Sequence, residues 1–549
     1  MYPKRKKKYM KSYLKKLEDQ IRSRSNEVAL ADYQGSAYTY AQIAAEIERL
    51  HCFFRLAGLQ KGDKVALVAR NSAKWAIFFL AVNTYEAVIV PILPNFTPEG
   101  AAQLIHHSDS ILLITDQDIF KQLDMNALPQ IRGILNARED KMLWGHKEIL
   151  EAWENRNRLF GETYPKGFSV KTIKYPDHPD QVAIINYTSG TSGNPKGVML
   201  TYGAMSDIVE YSQHNIYPDP QILISMLPLA HIYGLAMEFI YPVCTGFTIH
   251  FLGKTPSPSL LVQAMQEIRP TLIITVPLVM EKLCDKYARP LLNTRSAKLL
   301  GAMPGVRLSF YKSVGEKILD LLGGRIKTII IGGAPLDWKV ESIFKKIQLP
   351  YAVGYGMTEA CPLLAFVMPG KYVAGSCGRP IHEVRIDSSD PERIPGEIQS
   401  RGPNLTVGYY KNPEADAAAW TADGWLRTGD LGIMDENGNL FIRGRIKSLI
   451  LSSSGQNIYP EEIEQVLSES PVVEESIVLD RGGKIVALVY PKTGALSNLD
   501  AQEQDKLAVE LRNLCNQHLP KFSQIASVEW MDLPFERTAK GSIKRHLYK

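Results

Sequence analysis

The sequence predicts an α/β fold. It has a large N-terminal domain, with parallel or mixed sheets flanked by helices, and a small mobile C-terminal α+β domain. Three observations carry this. Short apolar runs of strand length, each ending at polar, Gly or Pro residues, alternate with helical patterns over several hundred residues, which is the signature of parallel sheets. After Gly396 the strands return in shorter, more polar form. The turn Asp435-Glu436-Asn437-Gly438-Asn439 then precedes a compact final segment with its own αβ pattern, and we place the division at residues 446 and 447. A chain of 549 residues has room for about three to four domains or subdomains and needs no disulfide or metal staple.

The elements follow in order. Thr39 to Ala57 reads as an amphipathic helix: Thr39 is a good N-cap, Ile43, Ile47, Leu50 and Phe54 share a face, and Gly58 ends it. Lys64 to Ala69 is a short strand and Ala76 to Val82 a buried helix. Val182–Ile185, Thr271–Val276 and Thr328–Ile331 are apolar enough for strands covered on both faces. Gly396–Ser400 and Leu440–Arg443 are the later, more polar strands. Pro460 opens a helix with Ile463, Val466 and Leu467 on one face. A small domain on a large one is a common way to close a site.

Charge and cysteine content narrow the function classes. The chain holds 63 basic and 58 acidic residues, a net charge of +5. Eight basic residues (Lys4, Arg5, Lys6, Lys7, Lys8, Lys11, Lys15, Lys16) and no acidic one lie in residues 1–16, so the body is near neutral and gives no case for a nucleic-acid-binding domain. This basic end reads as a solvated terminus, as an extension ahead of Met10, or as a weak peripheral contact with anionic lipid. Tyr9 to Ile21 is too polar for a signal-peptide core. Ala76–Leu93 is interrupted by Asn83, Thr84, Glu86 and Pro91, too soon for a transmembrane helix. Cys52, Cys244, Cys284, Cys361, Cys377 and Cys515 form no CxxC and read as free thiols in a reducing cytoplasm.

The strongest local signal is Tyr187-Thr188-Ser189-Gly190-Thr191-Ser192-Gly193-Asn194-Pro195-Lys196-Gly197, directly after a strand. Three glycines let the backbone turn tightly with its N–H groups inward. Four hydroxyls add donors and Lys196 adds a full positive charge. These are the parts of a polyphosphate cradle. It is not a Walker A loop, because Pro195 and Gly197 stand on either side of the lysine.

This loop resembles the signature of the adenylate-forming enzymes, which include acyl-CoA synthetases, firefly luciferase and peptide-synthetase adenylation domains. The resemblance continues in order through Gly332-Gly333-Ala334-Pro335, Gly354-Tyr355-Gly356-Met357-Thr358-Glu359, Gly396-Glu397-Ile398, Trp425-Leu426-Arg427-Thr428-Gly429-Asp430, Gly444-Arg445-Ile446-Lys447 and Ser453-Ser454-Gly455-Gln456-Asn457-Ile458-Tyr459-Pro460, and covers roughly residues 25 to 549. It implies ATP/AMP, Mg²⁺ and CoA as the small molecules handled. Thr188, Ser189, Gly190, Thr191, Ser192, Gly193 and Lys196 would cradle the phosphates. Gly333, Ala334, Pro335, Tyr355 and Gly356 would hold the adenine, and Thr358 the α-phosphate. Glu359 is implied as the Mg²⁺ ligand, and Asp430 and Arg445 as ribose contacts. Lys447 matches the hinge, and Gly455 the loop that lines the pantetheine tunnel.

Pro228-Leu229-Ala230-His231-Ile232-Tyr233-Gly234, Arg269-Pro270-Thr271 and Val276-Pro277 look most like bacterial long-chain fatty acyl-CoA synthetases, which assigns His231 and Gly354 to the acyl substrate. The resemblance then implies ATP-dependent conversion of a fatty acid to acyl-AMP, with pyrophosphate released, and transfer of the acyl group to CoA. Transfer to a holo-carrier protein, an aryl-acid CoA ligase and a catalytically impaired acyl-binding homologue stand as alternatives. The family's terminal lysine position holds Ser542 here. Lys540 and Lys544, two residues to either side, would share its face on an extended segment and are the candidate replacements.

Overall fold

The computed structural model describes residues 11–188, 195–217, 219–254, 256–451, 456–497, 499–537 and 543–548. The chain forms two compact units. The first comprises residues 1–383 and 401–424, the second residues 384–400 and 425–549, so the expected division at 446/447 lies inside the second unit.

Two seven-stranded sheets build the first unit. One runs, in spatial order, Tyr351–Val353, Thr328–Ile331, Leu272–Thr275, Ile222–Ser225, Thr248–Phe251, Val28–Asp32, Ala37–Thr39, and only its last pair is antiparallel. The other runs Met142–Gly145, Gly133–Asn136, Ser110–Thr115, Lys64–Val68, Val88–Pro91, Val182–Thr188, Lys196–Thr201. It is parallel in the middle, with an antiparallel strand at each edge. The near-continuous apolar character of Val182–Tyr187, Leu272–Ile274 and Thr328–Ile331 reflects burial on both faces.

The helix Ala73–Thr84 is buried almost all round, and Asp32 and Ala183 show why. Asp32 Oδ1 accepts from Ala73 N at 2.9 Å in one sheet, while Asn83 Nδ2 donates to Ala183 O at 3.0 Å in the other. Trp75 stacks on Phe79 with ring centroids 5.7 Å apart, and Phe239 meets both edge-on. A helix so placed has no polar face to spare, which explains its long apolar run without any need for a membrane. Among the described residues no helix is long and apolar enough to cross one.

The helix Tyr40–Leu56 starts where the sequence places it. Thr39 caps it in a reciprocal pair with Gln42, and Gly58 follows in the left-handed region at φ 68°. The six cysteines are free. The second unit joins Gly396–Arg401, Leu426–Met434 and Leu440–Arg445 in an antiparallel sheet. Its C-terminal part pairs Val473–Arg481 with Lys484–Pro491 and covers them with Pro460–Ser468 and Ala501–Gln517 over a core that includes Ile463, Leu467, Val478, Val489 and Leu511.

Candidate functional site

The phosphate hairpin joins Val182–Thr188 to Lys196–Thr201, with Thr188 opposite Lys196 in the ladder. Ser189, Gly190, Thr191, Ser192 and Gly193 lie outside the described residues. Lys196 is described, and its Nζ lies 4.9 Å from the centroid of the Tyr409 ring, a cation–π contact. The hydroxyl of the same tyrosine donates to Glu359 Oε1 at 2.9 Å. Glu359 and Thr358 sit in the single turn Thr358–Ala360 and are 8% and 7% exposed. One phenol therefore spans the lysine at the mouth of the phosphate loop and the carboxylate expected to face a cation. Burial pushes the Tyr409 phenol far above its ordinary pKa, and the neighbouring Glu359 adds to this, so the hydroxyl stays a donor.

Tyr409 belongs to a segment that sequence reasoning passed over. Asn404 Nδ2 donates to Ala360 O at 3.0 Å and to Leu363 O at 2.8 Å. Thr406 N donates to Glu359 O at 2.7 Å, and its Oγ1 donates to Met199 O at 2.8 Å. Met199 N donates to Gly408 O and Tyr410 N to Gly197 O. Residues 404–410 thus lash the strand that carries Lys196 to the turn that carries Glu359. Gly408 has φ 134°, and a Cβ there would lie 2.7 Å from Asp416 Oδ1, the atom that accepts from Tyr409 N. The pair Gly408-Tyr409, ahead of Asn412-Pro413, was the available signal.

Gly333 (φ 87°), Ala334 and Pro335 follow the strand Thr328–Ile331 and are exposed. Gly354 N donates to Ile331 O at 2.9 Å, so the Gly354–Gly356 segment starts beside that turn. Tyr355 and Gly356 form a two-residue strand antiparallel to Leu363–Phe366, with Tyr355 half-buried.

The acyl-loop segment at residues 227–231 is irregular, and much of its backbone is satisfied by side chains from elsewhere. Asn71 Nδ2 donates to Leu227 O at 2.6 Å, and Asn71 Oδ1 accepts from Leu229 N at 3.0 Å. Asn186, inside the strand that enters the phosphate loop, donates to Ala230 O at 2.9 Å. Glu238 Oε2 accepts from Leu227 N at 2.9 Å and from Met226 N at 3.1 Å, and lies 3.0 Å from Ser225 Oγ. His231 is half-buried, and its Nδ1 accepts from Tyr233 N at 3.3 Å. Leu227, Leu229, Ala230, Ile232, Leu235 and Ala236 are buried around this loop.

The second unit carries its own candidates. Asp430 and Arg445 face each other in the ladder, and Arg445 Nε meets Asp430 Oδ1 at 3.1 Å. Asp430 is 7% exposed, so the guanidinium aims a carboxylate that is mostly out of water. Lys447 lies exposed in the short turn Ile446–Ser448. Gly455, Lys540 and Ser542 fall outside the described residues. Lys544 Nζ stands 3.3 Å from Glu536 Oε2 at the surface.

The model of the AMP-binding enzyme matches residues 17–410, and that of the AMP-binding enzyme C-terminal domain matches residues 447–549. The chain belongs to the AMP-binding enzyme family. A long-chain-fatty-acid–CoA ligase of Bacillus subtilis (strain 168) is 28% identical over 510 residues, covering 87% of this chain and 85% of that protein. The o-succinylbenzoate CoA synthetase of the same species, solved with its acyl-adenylate, shares the fold at a TM-score of 0.75 and 24% identity over 97% of both chains. It has also been solved with ATP and a magnesium ion. An anthranilate CoA ligase bound to anthranoyl-AMP superposes with a TM-score of 0.76 at 18% identity, over 98% of this chain and 97% of the other.

A magnesium ion fits what this AMP-binding enzyme offers near the loop. Among the described residues no three His, Cys, Asp or Glu side chains converge, so Glu359 would hold the ion with few protein ligands beside it. That is the arrangement hard divalent ions adopt when phosphate oxygens and water complete the shell.

Two outcomes are expected. Tyr409→Phe should leave the mostly buried Glu359 without its hydroxyl donor and lower stability by about 1–3 kcal/mol. Adding Glu359→Gln should recover part of the loss, read as a double-mutant cycle of unfolding free energies without nucleotide. Additive losses would mean the two side chains are not coupled. The second concerns Glu238, whose carboxyl burial pushes up to about 8 against the N–H groups donated to it. A raised folded-state pKa means stability that is present in acid and lost as pH rises from about 4.5 through about 8. The unfolding temperature of the wild type relative to Glu238→Gln should therefore fall between pH 5 and pH 8.5, and a pH-independent gap would contradict a proton on Glu238.

Proposed function

We propose that this chain activates a fatty acid. A carboxylate oxygen attacks the α-phosphorus of ATP, the bond to pyrophosphate breaks, and acyl-AMP forms. The sulfur of CoA then attacks the acyl carbon and AMP leaves. The observation that carries the acid class is the apolar surround of the acyl loop. The one carboxylate buried there, Glu238, is turned onto the loop's own backbone and presents no charge that would select a polar acid. The long-chain-fatty-acid–CoA ligase of Bacillus subtilis, which matches most of the chain, supports the same reading.

In this proposal Lys196 and the N–H groups of residues 188–193 meet the charge that develops on the phosphate oxygens, as preorganised donors do. Thr358 donates to the α-phosphate, and Glu359 would hold Mg²⁺, which would supply positive charge to the phosphates. Tyr355 and the turn at 333–335 embrace adenine, Asp430 and Arg445 bind the ribose, and His231 and Gly354 border the acid. Lys447 serves as the hinge between half-reactions, and Gly455 borders the pantetheine.

The test is AMP release dependent on both ATP and CoA, across a panel of straight-chain, aryl and dicarboxylic acids. The straight-chain acids should lead. A lead by aryl acids would favour the runner-up, and turnover only with a holo-carrier protein would move the acceptor. Glu359→Ala should slow fatty-acid-dependent ATP–pyrophosphate exchange about a hundredfold or more, and unchanged exchange would remove Glu359 from the chemistry.

The terminal lysine question has a separate readout. A cation between the carboxylate and the α-phosphate lowers their repulsion, and Ser542 cannot supply one. Either Lys540→Ala or Lys544→Ala, but not both, should slow single-turnover acyl-AMP formation while sparing thioester formation from supplied acyl-adenylate. If neither is slowed and Ser542→Lys accelerates strongly, the chain works without a substitute lysine.

A further inference from the structure

Residues 286–315 carry six basic side chains (Lys286, Arg289, Arg295, Lys298, Arg307, Lys312) and no acidic one, in a chain whose body is near neutral. Of the twenty large apolar side chains exposed among the described residues, five fall between Leu291 and Leu308; the others are spread more thinly. Four of these basic residues (Arg295, Lys298, Arg307, Lys312) and four of these apolar ones (Leu299, Met303, Val306, Leu308) lie on one helical hairpin, formed by Arg295–Ala302 and Arg307–Leu321, whose second helix adds Glu316, Lys317 and Asp320 toward its far end.

The hairpin has a fixed base and a bare tip. Ala297, Val314 and Ile318 are buried beneath it. A Cβ on Gly315 would lie 1.9 Å from Ile347 O, and one on Gly301 would lie 2.7 Å from Tyr311 Oη, so the helices approach their neighbours closely. The turn between them is ordered by Met303 N to Leu300 O, Val306 N to Met303 O and Phe310 N to Val306 O. All of residues 302–309 are exposed, with Met303 at 42%, Val306 at 40% and Leu308 at 66%; Leu299, one turn back, is at 65%. Arg295, Lys298 and Leu299 share a helix face at i, i+3 and i+4. Arg289 is engaged by Asp285 at 2.5 Å, but Arg295, Lys298 and Arg307 have no carboxylate at ion-pair distance among the described residues.

An ordered apolar tip flanked by unneutralised guanidinium and ammonium groups matches an anionic bilayer surface. The apolar side chains enter the headgroup–acyl boundary while the cations meet lipid phosphates. We propose that the hairpin 295–321 is a membrane-docking element that seats this protein on anionic lipid. The occupant follows from charge complementarity: a second copy of the hairpin would bring like charges together. The basic N-terminal end is a poorer anchor where it is described, since Lys15 pairs with Glu18 at 3.0 Å and Lys16 donates to Gln213 at 2.9 Å. The inference does not rest on which acid is activated, because its readout is lipid binding.

The test is co-sedimentation of the full chain with vesicles of phosphatidylcholine alone and of phosphatidylcholine mixed with phosphatidylglycerol, at low and high salt. Wild type should pellet with the mixed vesicles, weakly with the neutral ones, and less as salt rises. Replacing Arg295, Lys298 and Arg307 by Gln should weaken partition about a hundredfold, about fivefold per charge. Met303→Ser with Val306→Ser and Leu308→Ser should weaken it about tenfold or more at unchanged unfolding temperature and unchanged pyrophosphate exchange with a soluble acid. Any of three results would overturn the inference: no pelleting of wild type with anionic vesicles, binding by both triple variants equal to wild type, or a wild-type oligomer in sedimentation velocity that the tip variant dissolves without any lipid binding.

Discussion

A carboxylate and an ammonium have to stand near the same phosphate loop without cancelling each other, and Tyr409 is what separates them. Its ring face accepts Lys196 through the negative side of the quadrupole, and its hydroxyl gives Glu359 a donor. Had Lys196 and Glu359 met directly, the pair would neutralise both charges and leave neither for a ligand. A buried carboxylate without any donor would meet a large desolvation penalty. A phenol meets both requirements, because it stays protonated at any working pH and offers a donor edge and an acceptor face at right angles. The backbone follows from that placement. Residues 404–410 are held between Met199 and Glu359 by hydrogen bonds on both sides, so Tyr409 has little freedom to swing away.

The acyl loop is solved in the same way one strand position earlier. Asn186 and Thr188 lie on the same face of Val182–Thr188, since side chains two apart in a strand point together. The first holds Ala230 O, and the second ends the strand at the phosphate loop. Asn71 takes Leu227 O and Leu229 N, and Glu238 takes Met226 N and Leu227 N, in a stretch that belongs to neither helix nor strand and whose groups would otherwise be buried unpaired. One strand therefore holds Ala230 and leads into the phosphate loop. The apolar surround of the acyl loop is possible because its polar backbone is satisfied from behind.

The local sequence carried the fold. Thr39 before its helix, Pro460 at the head of another and the runs Thr271–Val276 and Thr328–Ile331 are decided within a few residues, and the structure has them within a residue or two of the expected bounds, while the strand from Val182 runs three residues further, to Thr188. A candidate phosphate loop was legible as a pattern because its glycines, hydroxyls and lysine are contiguous; residues 189–194 lie outside the described residues. Tyr409, Asn404, Asn71, Asn186 and Glu238 were not, because each acts on a partner far along the chain or through a hydrogen bond to backbone that no residue pattern records. Tyr409 reaches Glu359 across 50 residues, and Asn71 reaches Leu227 across 156. The chain leaves the first unit for residues 384–400 before it returns to supply Tyr409, so reading along the sequence places that tyrosine beyond the large sheets although it lies at their loop. Glu238 is a lone acid in the apolar run 234–243. That oddity was visible, but its meaning depends on where Met226 and Leu227 turn.

A shortage of carboxylates would set an order of events. Glu359 has one oxygen engaged by Tyr409, and among the described residues no group of three or more His, Cys, Asp or Glu side chains could hold an ion. Fewer than three such ligands cannot fill the octahedron of a hard divalent cation, so the described residues alone would hold such an ion only weakly. The same carboxylate facing a polyphosphate with no cation would repel it. The arrangement is therefore favourable when cation and phosphates arrive together, each neutralising what the other brings. Lys196, whose ammonium faces the phenol ring, would then be left to meet the phosphates. A site with more carboxylates would bind the ion before the nucleotide and would then have to release it against that affinity when pyrophosphate leaves. With few carboxylates, the ion could leave with the phosphates that brought it.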